Sequence, residues 1–215
     1  MSQTGMVCDV LSELARGQVN RVLRPLAAGL ARLGVTPNMV TLTGTIGVVV
    51  VCCTLVPRGY VFWSLWALVA LTLLDLLDGA IARHTGRTSV WGAFLDSVCD
   101  RIADGAIFGS LAYLLATQHR YSAVAGAIAC MATGAVVPYA KAKAESLGLR
   151  CDLGFAGRAE RLILLGVAGL LVSAGIDVAF DVVVWTLTAL ATLTIAQRGF
   201  AVWKQARDLP VRTIS

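Results

Sequence analysis

Charge is scarce in this chain. Only 14% of its 215 residues are charged against 57% that are hydrophobic, and the mean hydropathy is +0.76. A soluble domain carries about a quarter of its residues charged, so an ordinary water-facing surface is excluded and a multi-span membrane protein is expected. Paired cysteine spacing is absent too. Cys8, Cys52, Cys53, Cys99, Cys130 and Cys151 form no CxxC and no zinc pattern. Most lie in apolar runs, where a thiol acts as a small hydrophobe, so no disulfide framework is expected. The N-terminus lacks the basic-then-apolar order of a cleavable signal, so insertion is expected from the spans themselves. No repeat relates the two halves, which argues against transporters built from internal repeats. The net charge of +5 suits anionic lipid headgroups and phosphorylated substrates better than nucleic acid.

What is present is concentrated in residues 75–100, DLLDGAIARHTGRTSVWGAFLDSVCD. Asp75 and Asp78 are three apart and Asp96 and Asp100 four apart, so each pair shares one face of a helix. A short polar turn, His84 to Ser89, lets the two helices run antiparallel with the pairs facing each other. Carboxylates converging at low dielectric repel unless neutralised. Hard divalent cations such as Mg²⁺ or Mn²⁺ take oxygen ligands, and two held close together suit displacement at phosphorus. The alternative is structural carboxylates paired with arginines, but intramembrane acids are costly and functional by default.

The expected fold is all-α, a six-transmembrane-helix bundle with an N-terminal interfacial amphipathic helix. Val7 to Leu33 place apolar residues at helical intervals with Arg16, Arg21, Arg24 and Arg32 among them, as in a helix lying on a membrane; a cytosolic helix packed on the protein is the alternative. Thr36 or Asn38 caps the helix that follows, with Pro37 in its first turn. The six spans are about 40–56, 60–82, 92–116, 122–140, 162–176 and 179–203. This divides the chain into 1–35, a six-span domain over 36–204, and a tail over 205–215. The basic residues before the first span, at Arg83 and Arg87, from Lys141 to Arg161 and from Arg198 to Arg212 fall on one side, with only Arg58 and Arg120 on the other. The positive-inside rule puts both termini and the aspartates at the cytoplasmic face.

The spacing D-x2-D-G-x2-A-R-x8-G-x3-D-x3-D, met by Asp75, Asp78, Gly79, Ala82, Arg83, Gly92, Asp96 and Asp100, resembles the signature of the CDP-alcohol phosphotransferase family. Gly79 allows close backbone approach to a nucleotide, Arg83 can pair with a phosphate, and Gly92 relieves crowding between packed helices. The resemblance implies that an alcohol attacks the lipid-side phosphorus of CDP-diacylglycerol, forming a phosphodiester and releasing CMP. It implies two Mg²⁺ ions (or Mn²⁺) on Asp75, Asp78, Asp96 and Asp100. It also gives Asp100 the role of base, where spacing alone does not choose it over Asp96. The nucleotide lipid is implied to meet Thr36, Pro37, Asn38, Met39, Gly79, Ala82, Arg83 and Ser89, and the family resemblance implies a homodimer. Asp104 continues the Asp96 and Asp100 face one more turn; it either supports the metal ligands or, as is favoured, pairs with Arg101 or another arginine.

Lys141, Lys143, Arg150, Arg158 and Arg161 suit an acceptor that itself carries a phosphate dianion, although positive-inside charge accounts for part of them. Arg198 lies within the last span, where that account is weakest. The Y-x-K-A-K-A-E pattern at Tyr139 to Glu145 and the E-R-L of Glu160 to Leu162 resemble the actinobacterial branch of the family, which uses 1D-myo-inositol 3-phosphate. That resemblance, over about Leu33 to Arg198, implies that Lys141, Arg161 and Arg198 hold the inositol phosphate, in an enzyme of the cell membrane. Arg158-Ala159 departs from it where a proline is expected. Glycerol 3-phosphate is the alternative acceptor; a membrane transporter using intramembrane carboxylates is the alternative of a different class.

Overall fold

The computed structural model describes residues 29, 34–85, 89–151, 154 and 157–207, with 75–85 described in backbone alone. The expected interfacial helix and the C-terminal tail therefore lie outside the described residues, apart from Gly29, Gly34 and the stretch to Arg207. Among the described residues six helices follow one another: α1 (Pro37–Thr54), α2 (Val61–Thr85), α3 (Val90–Thr117), α4 (Tyr121–Ser146), α5 (Arg158–Ser173) and α6 (Ala179–Arg207). No strand occurs among the described residues, so the fold is all-helical. Each helix coincides with one of the six expected apolar segments, to within a few residues at most ends.

Among the described residues, α1, α4 and α6 are long and apolar enough to cross a membrane, and α2 has a shorter apolar run, Val61–Leu74. The other two fall short for separate reasons. Asp96, Asp100, Arg101 and Asp104 interrupt the apolar run of α3. The 16 residues of α5 extend only about 24 Å, against about 30 Å of hydrocarbon.

The helix ends follow local chemistry. Thr36 is the N-cap of α1: its side-chain oxygen accepts from the Met39 N–H at 3.4 Å and its carbonyl from the Val40 N–H at 3.3 Å, with Pro37 in the first turn. Of the two expected caps it is Thr36 that serves, and Asn38 lies within the helix. α4 and α5 end on left-handed glycines, Gly148 at φ 76° and Gly175 at φ 92°. The N–H of Leu149 then returns to Ala144 O and that of Ile176 to Leu171 O, both at 2.9 Å, closing each helix with its last carbonyls satisfied.

The chain forms two compact units, one of residues up to 48 with 68–102, the other of 49–67 with 103–215. In the second, α4 packs on α6 through small residues: Ala123, Gly126, Ala127, Cys130 and Gly134 are buried along α4. The first four of these meet Phe180, Val184 and Leu187 of α6, with Phe108, Leu111 and Leu115 of α3 completing the core. Small residues let helix backbones approach where lipid offers no hydrophobic drive, and the Thr188 hydroxyl donates across this seam to Gly126 O at 3.2 Å. A Cβ on Gly126 would stand 2.7 Å from Val184 Cγ2 and 3.2 Å from the Trp185 ring. Gly126→Leu is therefore expected to destabilise the fold by about 1–3 kcal/mol through overpacking, read as a lower midpoint of thermal unfolding in detergent. At the end of the unit expected to face away from the basic side, Arg120 pairs with Asp181 and donates to the Asp177 carbonyl at 2.7 Å. That arginine is thus satisfied within the protein.

Candidate active site

The first unit carries the aspartates. Asp75 and Asp78 fall in α2, and Asp96 and Asp100 in α3, as the helical spacing requires. The side chains of Asp75, Asp78, Gly79, Ala82 and Arg83 are outside the described residues. Asp96 is exposed and Asp100 half-buried, with Arg101 Nη2 3.6 Å from Asp100 Oδ2. Among the described residues no three His, Cys, Asp or Glu side chains converge, the first aspartate pair not being among them. The donor set nevertheless fits a hard divalent cation: all four are carboxylates, two per helix, at spacings that keep each pair on one face.

In the same unit the structure brings two expected nucleotide-lipid positions, Asn38 and Ser89, together at Gly92. Ser89 caps α3, accepting from the Gly92 N–H at 2.9 Å with its hydroxyl and from the Ala93 N–H at 3.1 Å with its carbonyl. A Cβ on Gly92 would lie 3.1 Å from Ser89 Oγ and 3.3 Å from Asn38 Oδ1. The glycine thus clears room for two polar side chains, one from each of two helix N-termini. This is a more specific duty than the helix crowding expected of it. Those N-termini, at Thr36 and at Ser89, are also the natural places for backbone N–H groups to meet an anion. Gly92→Ala is expected to raise the KM for the expected nucleotide lipid about threefold to tenfold by displacing Ser89 or Asn38, with the acceptor KM unchanged in the same initial-rate assay.

The second unit carries the cations expected to take the acceptor. Gly134, Val137 and Lys141 stand at i, i+3 and i+7 on α4 and share one face. Arg161, in the first turn of α5, sets its guanidinium against Gly134, where any Cβ would collide with it. Arg198 of α6 donates to the Val137 carbonyl. Lys141 follows on the same stripe, its Nζ 3.8 Å from Glu145 Oε1. Three cations from three helices therefore follow one stripe of α4. Gly154, at φ 144°, passes over Arg198: a Cβ there would stand 3.5 Å from Nη2. The loop before it is fastened by Gln205, which accepts from the Arg150 N–H at 3.0 Å and donates to the Arg150 carbonyl at 2.7 Å.

Asp104 resolves as a pairing residue, with arginines far along the chain. Its Oδ2 accepts from Arg161 Nη2 at 2.7 Å, and Arg158 Nε lies 3.4 Å from its Oδ1. Sequence reasoning favoured an arginine partner for Asp104 but did not identify Arg161 or Arg158, and it missed the room made at Gly134. The signals present were the i+4 continuation of Asp96 and Asp100 to Asp104, and a glycine four residues before Pro138 in mid-helix.

The chain belongs to the CDP-alcohol phosphatidyltransferase family, whose sequence profile matches residues 34–198. It is accordingly a transferase of phospholipid synthesis. It is 41% identical over 212 residues to the phosphatidylinositol phosphate synthase of Streptomyces avermitilis, spanning 95% of this chain and 87% of that one. With the synthase of the same name from Mycobacteroides abscessus it shares 41% over 192 residues, spanning 88% and 87%. Among solved structures, the Mycobacterium tuberculosis phosphatidylinositol phosphate synthase with CDP-diacylglycerol bound superposes with a TM-score of 0.83 at 38% identity, covering 89% of this chain and all of that one. The same enzyme in complex with manganese and citrate gives 0.82 at 37%, covering 88% and 93%.

Proposed function

We propose that this chain transfers the phosphatidyl group of CDP-diacylglycerol to 1D-myo-inositol 3-phosphate, giving phosphatidylinositol phosphate and CMP. The observation that carries the acceptor is the stripe of α4 along which Arg161, Arg198 and Lys141 gather. Guanidiniums in a fork geometry, with a lysine beside them, suit a phosphate dianion more than a neutral polyol. The relatives from Streptomyces avermitilis and Mycobacteroides abscessus are named for the same product, phosphatidylinositol phosphate.

In this reading Asp75, Asp78, Asp96 and Asp100 would hold two divalent cations, Mg²⁺ or Mn²⁺, which when bound neutralise the pyrophosphate of the lipid. Thr36, Pro37, Asn38, Met39, Gly79, Ala82, Arg83 and Ser89 seat the nucleotide lipid, and Gly79 admits backbone close to it. Lys141, Arg161 and Arg198 take the acceptor's phosphate and so orient its hydroxyl. Asp100 accepts the hydroxyl proton as the oxygen bonds to the lipid-side phosphorus and the CMP oxygen leaves. The reading extends to the setting: six spans with an interfacial N-terminal helix in the cell membrane, the reaction on the cytoplasmic side where the basic residues collect, and a homodimer.

The test is CMP release by the purified full chain from CDP-diacylglycerol with Mg²⁺, offered inositol phosphate, glycerol 3-phosphate or free inositol in parallel. Release that depends on inositol phosphate and stops when the metal is chelated is expected. Release with glycerol 3-phosphate alone would keep the mechanism and change the acceptor. No release with any of the three would remove the proposed reaction.

A further inference from the structure

We propose that Asp104 is a positioning residue for anion recognition by Arg161, setting affinity for the phosphorylated acceptor while touching neither substrate; this rests on the reading of Arg161 as a ligand of the acceptor's phosphate. Arg161 is only 4% exposed. A guanidinium taken that far from water needs a paired anion, and Asp104 supplies it through a charge-assisted hydrogen bond of 2.7 Å. On another side the guanidinium packs against the bare backbone of Gly134. Carboxylate and glycine together fix where the charge sits. The second oxygen of Asp104 faces Arg158 Nε at 3.4 Å, so the carboxylate is itself held from two directions.

The Nε of Arg161 is buried and has no hydrogen-bond partner among the described residues. Such a group is costly to leave unmet, and an anionic oxygen is the acceptor that meets it best. Asp104 engages Nη2, keeping the guanidinium folded into the bundle with Nε uncommitted. Without the carboxylate, the long arginine side chain regains its other rotamers and must be ordered again each time the acceptor binds.

The sign of the effect separates positioning from simple charge. As a through-space charge, Asp104 repels a phosphate, so neutralising it would tighten acceptor binding. As a clamp, neutralising it weakens binding.

The experiment is steady-state CMP release by the full chain in detergent micelles containing CDP-diacylglycerol, with inositol phosphate varied. Asp104→Asn is expected to raise the acceptor KM about tenfold, the size of one charge-assisted hydrogen bond, with the KM for CDP-diacylglycerol within about twofold of the parent. Asp104→Glu, which keeps the charge on a longer stem, is expected to fall between the two and carries the test should the Asn variant not fold. Arg161→Gln should raise the acceptor KM at least as much, and Asp104→Asn added to it should raise it no further. An unchanged or lowered acceptor KM in both Asp104 variants, beside a raised one in Arg161→Gln, would overturn the positioning role alone. A parallel rise in both substrates' KM values would make Asp104 merely structural and overturn it too. An Arg161→Gln variant with the parent's acceptor KM would remove the acceptor reading of Arg161 and the inference together.

Discussion

An Asp100→Asn variant is expected to lose CMP release by about a thousandfold or more while still binding CDP-diacylglycerol. The substitution keeps shape and one acceptor oxygen but removes the charge that takes up the hydroxyl proton. General-base contributions alone run to about 10²–10⁴ in rate. Asp100 sits half-buried in α3 with Arg101 3.6 Å away, one residue along the helix. Asp96, a turn earlier on the same face, is exposed, and Asp96→Asn is the natural comparison. The measurement is paired: initial rates of CMP release, and equilibrium binding of the nucleotide lipid in the presence of Mg²⁺. Retained binding with lost turnover fits a base. Loss of both together would make Asp100 chiefly a metal ligand and leave the base unassigned.

Local rules carried much of this molecule. The six apolar segments, the cap at Thr36, the proline in the first turn of α1 and the placement of both aspartate pairs in helices all follow from patterns a few residues long, and the structure places them so. Long-range pairing was the blind spot. Asp104 was readable as an arginine partner from its place among charged residues in an apolar helix, but Arg161 lies 57 residues away and no periodicity points across that gap. The burial of Arg161 was equally hidden. Counting charge by side of the membrane treats it as one more surface cation, whereas Gly134 and Asp104 draw it into the core. Gly92 shows the same limit on a smaller scale: its smallness was evident, but that it spares Ser89 and Asn38 depends on two helix ends meeting. Apolar length marks only α1, α4 and α6 as long enough to cross a membrane among the described residues, and α3 falls short because Asp96, Asp100, Arg101 and Asp104 interrupt its apolar run.

Arg198→Ala is expected to raise the KM for inositol phosphate by about ten- to a hundredfold and leave the KM for CDP-diacylglycerol within about twofold. Hydrogen bonds to a charged group contribute about 1.5–3 kcal/mol, which spans that range. Arg198 is half-buried in α6, donates to the Val137 carbonyl and lies beneath Gly154. One arm of the guanidinium thus tethers it to α4, and the planar fork keeps the remaining donors in a fixed relation to that tether. Arg198→Lys retains the charge without the fork and should recover only part of the affinity. Lys143, exposed on the same helix as Lys141 and part of the general basic field, provides the contrast. Its replacement by Ala should change the acceptor KM by less than about twofold, and what change there is should vanish as salt is raised. Should Arg198→Ala affect both substrates equally, with a lowered unfolding midpoint, the arginine would serve only to fasten α6 to α4. A selective loss for the phosphorylated acceptor, persisting at high salt, distinguishes a cation held to meet one phosphate from a cation that merely marks the inner face of the membrane.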